Sequence, residues 1–158
     1  MSNFKRYFEK NIAYFVTSVT NNRKHIFTSE KNIIFLLLNI EYFKTILDYK
    51  IFAFCILSDH FHFIIQPLGQ YNLSYMMKMI KGTFSRKLNK ISNSTGHIWQ
   101  KRFYDEGLRN ESMLINKIEY IHNNPIKHNL ATDLDKFKYS SYQYYFNNKT
   151  HVLNVDVF

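Results

Sequence analysis

Cysteine, proline and glycine are scarce in this chain of 158 residues, which has one cysteine, two prolines and four glycines. A single cysteine excludes a disulfide framework within the chain and fits a reducing, cytoplasmic setting. Cys55 lies inside "IFAFCIL", where a thiol behaves as a small buried hydrophobe. So little proline and glycine argues against a long flexible linker. Long apolar runs are missing too. "NIIFLLLNI" is too short to span a bilayer and is soon followed by charge, and the opening "MSNFKRYFEKN" is too polar for a signal peptide. No internal repeat and no G-x-x-x-x-G-K-[ST] phosphate loop occurs. Acidic residues are outnumbered, 12 Asp and Glu against 21 Lys and Arg, which leaves a net charge of +9. That balance suggests a polyanionic partner, most often nucleic acid, although a merely soluble basic protein has the same arithmetic.

What the chain has in quantity is aromatic surface: 12 Tyr and 15 Phe, enough to build a largely aromatic core. The length suits one domain over 1–158, with 147–158 a tail of no clear pattern. "IAYFVTSVT" is β-branched and aromatic and reads as a strand, continued through a polar turn by "NNRKHIF". "TSEKNIIFLLLNIEYFKTILDYK" reads as a helix, with Thr28 or Ser29 as cap, Glu30 in its first turn, and Ile33, Leu37, Ile40 and Leu47 at helical spacing. "IFAFCIL" and "HFHFIIQP", separated by Ser58-Asp59, predict an antiparallel hairpin. A second helix follows over "NLSYMMKMIKGTFSRKLNKI", striped by Leu73, Met77, Ile80, Phe84 and Leu88. Gly82 in its interior costs about 1 kcal/mol against alanine, to be explained by a close backbone approach or by simple tolerance. "HIWQKRFYDEGLRN" contains a strand. "ESMLINKIEYIHNN" is a third helix capped by Asn110, and Pro125 should stop it. The order β-α-β-β-α-β-α implies an α+β fold, an antiparallel sheet with packed helices.

"HFHFII" is the stretch that asks for chemistry. Its spacing of two puts His60 and His62 on one face of a strand and turns Phe61 and Phe63 to the other, into the core. Two neutral imidazoles so placed can converge on a divalent ion. A bare H-x-H serves equally as two hydrogen-bonded histidines. Asp59 reads as an accessory ligand or as a turn residue. On the third helix the apolar stripe is Leu114, Ile118 and Ile121. Tyr120 lies about 200° round from Ile118 at roughly 100° per residue, on a side shared with Asn116 and Asn124. Tyr120 and Asn124 are neighbours at i and i+4. Taken singly, Tyr120 also reads as a surface tyrosine and Asn124 as a helix C-terminal residue.

Taken in order, these blocks resemble the single-tyrosine HUH transposases, and among them the REP-associated tyrosine transposases, relatives of small insertion-sequence transposases. "LSDHFHFIIQP" is similar to the family's histidine–hydrophobic–histidine strand. "WQKRFYDEGLRNES", "EYIHNNPIKHNL" and "YSSYQYY" resemble further family blocks, so the likeness runs from about residue 12 to residue 146. One departure stands at Ser58, where the family commonly has proline; it bears on the turn into the strand and not on the ligands. The resemblance implies a ferredoxin/RRM-like HUH endonuclease fold. It implies Mg²⁺ or Mn²⁺ held by His60, His62 and Asn124, and Tyr120 as nucleophile. The product would be a 5′-phosphotyrosine, and the substrate single-stranded DNA beside hairpin or palindromic elements, with no membrane partner. Bases stack on aromatics while cations follow phosphates. Candidate DNA contacts are therefore Lys81, Arg86, Lys87, Trp99, Lys101, Arg102 and Arg109, with Trp99 equally a core residue. Relatives occur as monomers and as homodimers. The rival readings are a replication-initiator or relaxase-like nickase, and a DNA-binding protein that has lost catalysis. A metal hydrolase on a large barrel does not fit this length.

Overall fold

The structure, a computed structural model, describes residues 8–158. Most of the opening stretch read as too polar for a leader, residues 1–7, lies outside the described residues. The chain runs β1 (Ala13–Val19), α1 (Glu30–Leu47), β2 (Tyr49–Ile56), β3 (His60–Pro67), α2 (Leu73–Ile91), β4 (Tyr104–Leu108), α3 (Glu111–Lys127) and a short α4 (Tyr142–Asn147). The four strands form one antiparallel sheet in the order β2-β3-β1-β4. This is the β-α-β-β-α-β arrangement of ferredoxin-like domains, with α3 added. Among the described residues no helix is long and apolar enough to cross a membrane.

Period-2 alternation divides the sheet into two faces. Tyr14, Val16, Phe54, Phe61, Phe63 and Ile65 turn to one side and are buried with the apolar stripes of α1 and α2. Phe15, Phe52, Cys55 and Ile64 turn to the other and are buried with Ile118 and Ile121 of α3. His60 and His62 share the α3 side, as the spacing of two requires. Burial pushes the Cys55 thiol pKa up, so it stays protonated and inert.

Several boundaries differ from the expectation. Asp48 takes a left-handed conformation (φ 54°) that ends α1 and lets β2 begin at Tyr49. Ser29 holds the N-cap position of α1, but its side chain makes no capping bond, whereas Asn72 and Asn110 each accept a backbone N–H three residues on. Pro125 does not stop α3, which runs through it to Lys127. A proline in the last turn costs the helix one N–H bond. The burial of Asn124 and Pro125, and the Leu130 and Ala131 N–H groups that close on the Pro125 carbonyl at 2.8 and 3.2 Å, hold the turn in place. At Gly82 an added Cβ would meet only the Arg86 guanidinium, at 3.4 Å. No backbone presses on that position, so the glycine is simply tolerated.

Candidate active site

The histidine strand enters the sheet beside β1, with His62 opposite Thr17 and His60 opposite Val19. Both rings are buried and stand 4.9 Å apart, centroid to centroid, close to perpendicular. Each has its Nδ1 occupied. His60 Nδ1 lies 2.5 Å from Asp59 Oδ1, so Nδ1–H donates to the carboxylate and Nε2 keeps its lone pair. His62 Nδ1 lies 2.7 Å from the Thr17 hydroxyl. Asp59 is thus more than a turn residue: one oxygen orients His60 and the other takes the Arg23 guanidinium at 3.1 Å. Burial pushes the Asp59 pKa up, but the bonds from His60 and Arg23 outweigh it and hold the carboxyl below its usual value. Burial is also the main cause that lowers His60, against Asp59, and that lowers His62 to about 3, with the neighbouring His60 and His128 adding to it. Both imidazoles are therefore neutral at pH 7, the form that ligates metal.

Helix α3 crosses this face and brings Tyr120 and Asn124 to the pair. The Tyr120 ring packs edge-on against Phe15 at 5.7 Å and His62 at 5.9 Å, and the residue is 38% exposed. Asn124 donates its amide to the Tyr120 carbonyl at 2.6 Å, which settles which end of the amide is oxygen. Its Oδ1 and the Nε2 of His62 are both buried with no hydrogen-bond partner. The Asn124 side chain is near enough to His62 to favour its charged form, although the two atoms do not meet in hydrogen-bond geometry. In the tautomer that gives Nδ1–H to the Thr17 hydroxyl, both atoms present buried lone pairs left unpaired, a desolvation cost that a bound cation would relieve. Among the described residues no group of three His, Cys, Asp or Glu side chains is arranged to hold an ion. Asn124 Oδ1, buried beside the pair, is available as a further oxygen donor. His60, His62 and Asn124 fit a divalent cation on these grounds.

The surrounding cleft, about 490 Å³, is lined by residues from β1, β3, β4 and α3, with Arg23 and His128 at its margins. The sequence reading missed Arg23, Lys117, Lys127 and His128. Three of these were within reach of a helical wheel, because Lys117, Tyr120, Asn124 and Lys127-His128 follow one another at intervals of three or four. Lys117 pairs with Glu106 of β4 at 2.7 Å and lies over the Phe15 and Tyr120 rings, and Lys127 lies 5.0 Å from the Tyr120 centroid. His128 stacks edge-on to His60 at 5.0 Å.

The expected DNA contacts are not all here. Trp99 is a correction: it is buried among Phe27, Phe61 and Phe84 with its indole N–H on the Lys81 carbonyl, so no base can stack on it. Arg109, exposed, is bonded to Glu9 just beyond the Leu108 end of β4 and does not line the cleft. Lys81 donates to the Gln100 carbonyl at 3.1 Å beside Trp99 and Phe103. Lys101 and Arg102 follow it, exposed, in the segment that pairs with the end of β1 through Gln100 N–H on Val19 O. Arg86 and Lys87 sit on exposed α2 positions, on the far face of the sheet.

The model of the family described as "Transposase IS200 like" matches residues 9–124, the segment from before β1 to Asn124. The chain belongs to this transposase family. It is 30% identical over 154 residues to a REP-associated tyrosine transposase of Haemophilus influenzae, covering 90% of this chain and 86% of the relative. It is 27% identical to the REP-associated tyrosine transposase of Escherichia coli, over 90% and 83%. Among solved structures it is similar to a REP-associated tyrosine transposase bound to a REP hairpin, with a TM-score of 0.79, 24% identity, and 99% and 93% of the two chains covered. At that identity the likeness speaks for the fold, and it takes in nearly all of both chains. The family model ends at Asn124. In this transposase the later "YSSYQYY" block serves α3 from behind. The Ser141 hydroxyl accepts the Phe54 N–H at 2.9 Å and meets His122 Nε2 at 2.8 Å, tying α3 to β2.

Proposed function

We propose that this transposase nicks and rejoins single-stranded DNA at hairpin-flanked sites through a 5′-phosphotyrosine on Tyr120, with a divalent ion, Mg²⁺ or Mn²⁺, held by His60, His62 and Asn124. The observation that carries the reading is the pair of orphaned buried atoms, His62 Nε2 and Asn124 Oδ1, one helical turn from a half-exposed tyrosine. Bound there, the ion would polarise a phosphoryl oxygen and offset charge in the transition state. The chain's own groups do the rest. Asp59 and Thr17 orient the two imidazoles. Phe15 and His62 hold the Tyr120 ring edge-on, leaving it toward the cleft. The Tyr120 oxygen gives up its phenolic proton to the solvent of the open cleft and attacks phosphorus, the P–O3′ bond breaks, and the leaving O3′ takes up a proton to become a free 3′-OH. A 3′-OH later attacks the phosphotyrosine, so the phosphodiester's energy is conserved and no nucleotide cofactor is needed. The two REP-associated relatives and the hairpin-bound structure support hairpin DNA as partner. Lys81, Lys101 and Arg102, near the Val19 end of β1, would meet DNA phosphates outside the cleft, and Arg86 and Lys87 would do so only where the DNA reaches the far face of the sheet. The protein would act in the cytoplasm, as monomer or homodimer.

The test is an end-labelled single-stranded hairpin oligonucleotide with Mg²⁺ or Mn²⁺, resolved on a denaturing gel. A covalent protein–DNA adduct is expected, lost in Tyr120→Phe and in EDTA. His60→Ala should lose cleavage and keep much of the DNA binding. Full cleavage by Tyr120→Phe would sink the nucleophile assignment, and cleavage unaltered in His60→Ala would sink the metal role.

A further inference from the structure

One arginine in the cleft sits on an unusual backbone. Arg23 follows β1 in a turn where Asn22 and Arg23 both take left-handed angles, φ 53° and 51°. That region is disfavoured for any residue with a Cβ, and asparagine tolerates it better than arginine. Such geometry persists only where the surroundings over-determine it. Here they do: Asn21 N–H donates to Ile98 O at 2.8 Å, Thr20 N–H to Asp59 O at 2.9 Å, and the Thr20 hydroxyl to Lys24 O at 2.8 Å. The turn so held places the Arg23 guanidinium at the cleft wall. One nitrogen donates to Asp59 Oδ2 at 3.1 Å, while the side chain stays 64% exposed.

Neutralising an aspartate needs only a point charge, which a lysine supplies. Arginine adds a planar fork whose remaining N–H groups match a phosphate. The other charged groups of the cleft place that fork in context. Lys117 is balanced by Glu106, and Asp59 accepts a hydrogen bond from the neutral His60 ring, whereas Lys127 faces Tyr120 from the α3 side. We propose that Arg23 binds a backbone phosphate of the DNA strand in the cleft, with Asp59 holding the guanidinium against the wall so that its open edge meets the strand.

The proposal rests on the cleft being the DNA site, and the experiment separates the two. Anisotropy of a labelled single-stranded hairpin oligonucleotide is measured in EDTA, on a Tyr120→Phe background, over a range of KCl concentrations. Arg23→Gln should weaken binding about tenfold near physiological salt, the scale of one charge-assisted hydrogen bond, and reduce the slope of log K against log [salt] by about 0.7, one single-strand phosphate contact. Arg23→Lys should recover the slope and only part of the affinity. Melting curves check folding; if Arg23→Gln unfolds, Arg23→Lys decides, by lowered affinity at a preserved slope. Lys50→Gln, across from Gln66 at the far end of the β2–β3 pair, is the charge control. Unchanged affinity and slope in Arg23→Gln, unchanged affinity in Arg23→Lys, or an equal loss in Lys50→Gln would each overturn the role of Arg23 and leave the proposed function standing. Failure of the parent protein to bind the oligonucleotide would overturn the cleft as DNA site, and Arg23 with it.

Discussion

His122 should make this fold acid-sensitive, and the size of the effect can be worked out. The ring, on the buried side of α3, packs against Tyr142, Tyr145 and Phe146, with Nε2 on the Ser141 hydroxyl. Burial pushes its pKa from 6.5 to about 4. Below pH 6.5 the unfolded chain gains a proton at this ring and the folded chain does not, until about pH 4. Stability contributed by the neutral ring is therefore complete above pH 6.5 and drains away as the pH falls toward 4. At ~1.4 kcal/mol per pH unit the gap is worth about 3 kcal/mol, most of it spent by pH 4.5. The assay is urea unfolding at pH 7.5 and 4.5 in EDTA, for the parent and for His122→Asn. His60 and His62 are also held neutral and drive stability the same way, but they act in both proteins. The parent should lose about 2–3 kcal/mol more than the variant between the two pH values. His122→Asn will be less stable at pH 7.5 because it gives up ring contacts; the measured quantity is the difference in pH dependence. Parallel losses in the two proteins would refute the buried neutral histidine. The helix concerned carries Tyr120 and Asn124, so DNA cleavage should fail in acid along with the fold.

Further outcomes follow from the same structure. Mn²⁺ should raise the melting temperature of the parent and leave that of His62→Ala unmoved; equal shifts would remove His62 from the ligand set. Asp59→Ala should weaken Mn²⁺ binding in calorimetry by about 10- to 100-fold by freeing His60 Nδ1, and unchanged affinity would show the carboxylate to be a bystander. Gly82→Ala should stabilise the protein by about 0.5–1 kcal/mol in urea, since the new methyl meets only a movable guanidinium; a destabilisation would reveal a constraint on α2. Replacing Lys101 and Arg102 together by glutamine should flatten the salt dependence of DNA binding by about 1.4 in slope, and an unchanged slope would take both off the phosphate path.

Much of this protein is legible in local pattern. Alternation in "HFHFIIQP" sends Phe61 and Phe63 to one core and the imidazoles to the other face, because a strand has no third direction. The α2 stripe from Leu73 to Leu88 is buried as its spacing requires. The i, i+4 relation brings Asn124 onto the Tyr120 carbonyl within a single helix. These are short-range consequences of backbone geometry, so sequence alone determined them, along with the order of elements. What it could not decide are questions of which element meets which. Whether Trp99 stacks on a base or fills the core depends on Phe27 and Phe61, residues far along the chain. Arg109 is taken up by Glu9, 100 residues away. A proline ends most helices at the residue before it, but in α3 the last turn, with Asn124 and Pro125 buried, continues through Pro125. Asp59 gained its role only when β3 was laid beside β1, which set Arg23 against one oxygen while His60 took the other. Local rules place a side chain on a face; only the packed sheet and α3 bring that face to a histidine, a tyrosine and an arginine at once.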